Sequence, residues 1–68
     1  MNQFTPHNTR KGEKFITLNG RVTGEVESCH YCPHERTDFV VVVYTIHWAH
    51  ASEQVVTGVR ADEIKRIA

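Results

Sequence analysis

Four residues in this chain are spaced as metal ligands are: Cys29-x2-Cys32-x14-His47-x2-His50. His30 and His34 stand close to the cysteine pair. Zinc takes four nitrogen or sulfur ligands in a tetrahedron, and a C-x2-C knuckle presents two thiolates from one tight turn. Two imidazoles from a later segment would close the cage and supply on the order of 10 kcal/mol to folding. His47 and His50 have opposite parity, so in a straight strand they face opposite sides and converge only if the chain turns near Trp48-Ala49. His34 is therefore a rival for one ligand position. The pattern favours structural zinc over two competing readings, a reversible thiol–disulfide pair and plain loop thiols among surface histidines.

Other chemistry is weaker. Cys-His-Tyr-Cys looks like a thioredoxin-type redox motif, but that motif needs a helix start within a βαβ unit, and Pro33 follows the second cysteine directly. A cysteine nucleophile needs a base and a third orienting group. Glu35, Asp38 and Glu53 are all conceivable there and nothing singles one out, so no catalytic residue is assigned and no enzyme is expected. Tyr31 and Trp48 are candidate binding aromatics flanking a groove, while Tyr44, and by the plainer reading Trp48 too, completes the core. Arg10, Lys11, Lys14 and Arg21 are candidate phosphate contacts, or else a solvated basic cluster.

The elements that must position these groups follow from the pattern. Residues 1–12 are polar and aperiodic, with Pro6 and Gly12, and read as a flexible arm with Phe4 as its one anchor; residues 13–68 form the domain. In the run from Glu13 to Ser28, Asn19-Gly20 separates two β-branched segments, a hairpin signal. Gly24 suggests a bulge or a close backbone approach. Residues 29–37, with Pro33, read as a loop. Asp38 to His47 holds four consecutive valines, Val40 to Val43, which fits a strand covered on both faces. A turn over Trp48 to Ser52 and a strand over Glu53 to Val59 follow. Ile64 and Ile67, three apart, read as a short terminal helical turn.

This order resembles the small SH3-like barrels, KOW-type modules among them, on Gly12-Glu13-Lys14-Phe15, on Gly20-Arg21 followed by Gly24-x-Val26, and on the ending Val59-x-Ala61-Asp62-Glu63-x-x-x-Ile67. Sm-like barrels match the same layout. The resemblance implies an all-β fold, a small antiparallel barrel of four to five strands. It carries no function of its own. The plasmid-type, trimethoprim-insensitive dihydrofolate reductases share the layout, but their Val-Gln-Ile-Tyr motif would fall where this chain has Gln54-Val55-Val56-Thr57, without tyrosine. Their activity is not carried over.

Composition sets the outer limits. A chain of 68 residues is one domain and buries only about 60% of the surface its unfolded form exposes. Net charge is zero, with +3 over residues 1–21 and −3 over residues 22–68. A broad basic surface for nucleic acid is therefore lacking, and a protein partner is favoured over nucleic acid. No apolar run approaches the roughly 18 residues of a membrane span, and the first residues lack a signal-peptide core. The expectation is a cytoplasmic, zinc-stabilised binding or regulatory module, monomer or homodimer, of the kind found among bacterial and phage accessory proteins. A nucleic-acid-binding barrel is the first alternative and a small oligomeric enzyme the second.

Overall fold

The computed structural model describes residues 3–67; Met1, Asn2 and Ala68 lie outside it. Five strands, β1 (Lys14–Thr17), β2 (Thr23–Cys32), β3 (Thr37–His47), β4 (Ser52–Arg60) and β5 (Ile64–Arg66), form one antiparallel sheet in the order β4-β3-β2-β1-β5. A single 3-10 turn, Ala61–Glu63, joins the last two. The fold is all-β and barrel-like, as expected from the order of its elements.

The Asn19-Gly20 turn forms as expected. Gly20 takes a left-handed φ of 75°, the Thr17 hydroxyl reaches Asn19 Oδ1 at 2.6 Å, and the Val22 amide donates to that hydroxyl at 3.1 Å. Gly24 is a place of close approach and not the bulge. A Cβ there would collide with the Val43 carbonyl oxygen and lie 2.9 Å from both Phe15 and Tyr44. The bulge falls at Glu27, where the β2–β3 register shifts between Val26 and Ser28. That extra residue lets Val26 and Cys29, three apart, both face the core.

Two expected boundaries differ. The loop expected over residues 29–37 shrinks to Pro33–Arg36, because Cys29 to Cys32 pair with Val40 to Thr37 and extend β2. Pro33, lacking an N–H, ends the strand, and Arg36 at φ 53° turns the chain. At the other end, the expected helical turn is one 3-10 turn followed by a strand. Ile64 is buried opposite Thr17, whereas Ile67 is exposed.

The core is Phe4, Phe15, Val26, Cys29, Val40, Val42, Ala61 and Ile64, with Val22, Tyr44 and Val59 packed against it. The valine run, expected to be covered on both faces, is fully buried on one only. Val40 and Val42 are buried, while Val41 and Val43, on the alternate face, are half-buried. Leu18, Trp48 and Val56, apolar enough to suit a core, are also exposed. The amino-terminal segment is anchored to the sheet through Phe4, the residue expected to hold it. Phe4 is fully buried beneath the Arg66 guanidinium, whose carbon lies 4.3 Å from the ring centroid. A turn over Thr5 to Asn8 is closed by reciprocal side-chain bonds, Thr5 N to Asn8 Oδ1 at 2.8 Å and Asn8 N to Thr5 Oγ1 at 3.2 Å.

Candidate functional site

The expected metal ligands are not brought together. Cys29 and Cys32, on one strand and three apart, face opposite sides of the sheet: Cys29 sits in the core opposite Val40, and Cys32 opposite Thr37. His47 ends β3, ten residues from Thr37 and thus roughly 30 Å along the strand at about 3.3 Å per residue. His50 lies in the turn beyond it. His34 occupies the Pro33–Arg36 turn, exposed, and His30 meets the Ser28 hydroxyl at 2.9 Å. Among the described residues no three His, Cys, Asp or Glu side chains gather to hold a metal. Both thiols are free. Burial pushes the Cys29 thiol above its ordinary pKa, with the neighbouring Thr9 hydroxyl acting the other way.

Tyr31 and Trp48 are both exposed, yet they sit near opposite ends of β3 and share no groove. Trp48 belongs to a different feature. β2 pairs with β3 only as far as Glu25 opposite Val43, whereas β3 and β4 continue as a pair to His47 opposite Ser52. The segment from Tyr44 to Val55 is therefore a two-stranded ribbon running past the rest of the sheet, in a molecule with extents of 40 × 27 × 22 Å. Its tip is closed by the Trp48 amide donating to the Ala51 carbonyl at 2.8 Å. His47, Trp48, Ala49 and His50 all stand exposed there.

Where β2 leaves β3, a groove of about 580 Å³ opens at the root of the ribbon. Residues 21–25 and Lys14 form one wall, and residues 43–47 with Gln54 form the other. The β3 edge from Tyr44 to His47 has no β2 partner, so its backbone groups on that side face the groove. Sequence reasoning does not single out Thr23 or Gln54 as lining. The signal for this place is Gly24, the point at which two strands and an aromatic ring converge.

The basic cluster is partly neutralised. Lys14 pairs with Glu25 at 3.0 Å and Lys11 with Glu27 at 3.6 Å, both on the surface. The Arg10 amide, not its guanidinium, donates to Glu13 at 2.7 Å. Arg21 is exposed at the groove rim. Glu13 takes its charge partner from the far end of the chain: Arg66 Nε donates to Oε1 at 2.7 Å and, with the Arg10 amide, holds the Glu13 carboxyl below its ordinary pKa. No family model matches the chain, and neither the curated proteins nor the solved structures contain a match to it. No helix among the described residues is long and apolar enough to cross a membrane.

Proposed function

We propose that this chain is a small, non-catalytic binding module of SH3-like type that engages a protein partner through the ribbon and the groove at its root. One observation carries the reading: Trp48 stands 60% exposed at the tip of a ribbon whose only formally charged residue between Tyr44 and Val56 is Glu53. An exposed tryptophan offers a large apolar surface with one N–H donor, the combination enriched in protein interfaces. A ribbon without lysine or arginine has nothing to neutralise phosphates. The strand order, with a 3-10 turn ahead of the last strand, supports the SH3-like assignment.

The nucleic-acid alternative rests on Arg10, Lys11, Lys14 and Arg21, two of which already face acids on β2. Zinc forms no part of the reading, because the donors lie apart.

The test is capture from nuclease-treated lysate on the immobilised full chain. The expected result is a protein retained through high salt, lost with Trp48→Ala and kept with the double variant Arg10→Ala, Lys11→Ala. Nuclease-sensitive, salt-eluted material that is lost with the double variant would overturn the reading in favour of nucleic acid.

A further inference from the structure

β4 is an open edge. It ends the strand order, so one side of its backbone has no partner in the sheet, and it runs for nine residues in unbroken register with β3. Natural edges are blunted by shortness, lysine, proline or bulges. The opposite edge obeys that rule: β5 is three residues long with exposed Lys65 at its centre. β4, reading SEQVVTGVR, has none of these devices. Its charged residues, Glu53 and Arg60, lie near its two ends, and at its midpoint Val56 is 62% exposed. On the same face, Val56 is continuous with Val43, Val41 and Phe39, all half-buried, and the Phe39 ring approaches Gly58.

We propose that β4 pairs antiparallel with β4 of a second copy of this chain, about a two-fold axis at Val56, joining two five-stranded sheets into one of ten. A two-fold axis normal to the sheet keeps each side chain on its own face, so a residue must lie opposite itself; an odd offset would oppose side chains pointing to different faces. Val56 is the middle of Ser52–Arg60, and centring there is the register that pairs all nine residues. It sets Val56 against Val56, Gln54 against Gly58, Ser52 against Arg60, Val55 against Thr57 and Glu53 against Val59. No like charges are opposed, and the most exposed valine of the edge gains a valine neighbour. Arg60 keeps its own-chain partners Asp62 and Glu35, at 3.3 and 3.9 Å. A net charge of zero leaves no long-range repulsion between copies. The pairing leaves the Trp48 tips free and separate, so the dimer would present two of them.

Sedimentation velocity on the full chain, from low to high micromolar concentration, tests this. The wild type is expected to pass from monomer to dimer. Val56→Lys and Val56→Glu are each expected to weaken dimerisation by at least about tenfold, because they place like charges directly opposite one another. An equimolar mixture of the two is expected to recover the dimer, since residue 56 meets its own counterpart. Leu18→Lys, at an equally exposed site away from β4, is expected to dimerise as the wild type does. Thermal melts of each variant establish that it is folded. A wild type that stays monomeric, species larger than a dimer (as head-to-tail pairing of β4 with β5 would give), or a mixture without recovery would each overturn the proposal.

Discussion

At the scale of the residue, the cysteine pair shows how one spacing supports two geometries. In a knuckle, Cys-x2-Cys brings two sulfurs to one point; on a strand it sends them to opposite faces. Residue type alone does not choose between these. What decides is the partner strand: the valine run pairs with the segment preceding Pro33 and draws both cysteines into β2. A hint was present in Pro33, which follows the second cysteine and therefore bounds a strand as readily as it shapes a knuckle. The consequence can be measured. Cys29 is buried with a raised thiol pKa, while Cys32 is partly open. A thiol-directed reagent is expected to modify Cys32 at least roughly tenfold faster than Cys29, since thiolate fraction and access set the rate. Peptide mapping by mass spectrometry checks this, and equal rates would place both cysteines in one exposed turn.

At the scale of the element, the hairpin, the long central strand and the strand after it were legible because each carries its own signal. Asn19-Gly20 makes a turn, and β-branched runs fill the strands. Two elements were not legible. Three residues of β5 exhibit no period, and their conformation comes from pairing with Phe15 to Thr17, a tertiary fact. The amino-terminal segment reads as an arm because one phenylalanine among polar residues makes no pattern. Phe4, the anchor expected there, fills the core, but the contacts of the rest of the segment carry no sequence signal. The clasp holding that segment is Arg66, which touches Phe4, the Asn8 carbonyl at 3.1 Å and the Glu13 carboxylate. Arg66→Ala is expected to cost about 1–2 kcal/mol at neutral pH, or roughly 5–15 °C in melting temperature for a domain of this size. The pair also sets an acid dependence. Glu13 has its folded pKa lowered from 4.5, chiefly by Arg66, so the folded state binds fewer protons than the unfolded one and stability falls with falling pH. Its contribution is present above 4.5 and is lost as pH drops through the lowered folded value. In melts across that range, Glu13→Gln is expected to remove this component; an unchanged acid slope would contradict the ion pair.

At the scale of the whole molecule, the apolar residues divide into two populations. One set, from Phe4 to Ile64, closes the interior. The other, Leu18, Tyr31, Trp48, Val56 and Ile67, stands exposed at the surface. The central strand is fully buried on one face and half-buried on the other, and the ribbon carries the exposed tryptophan. The sequence showed how many apolar residues there are, but not that division, because alternation along a valine run gives no sign of which face lies inward. The proposed binding depends on the ribbon standing clear of the rest of the sheet with its tryptophan presented. Trp48 is the sole tryptophan, so its fluorescence reports that position alone. In the free protein its emission is expected to be that of a hydrated indole, readily quenched by iodide, and to become shielded when the captured partner is added. Emission already shielded from iodide in the free protein would mean that the ribbon folds back onto the sheet and that Trp48 is not presented for binding.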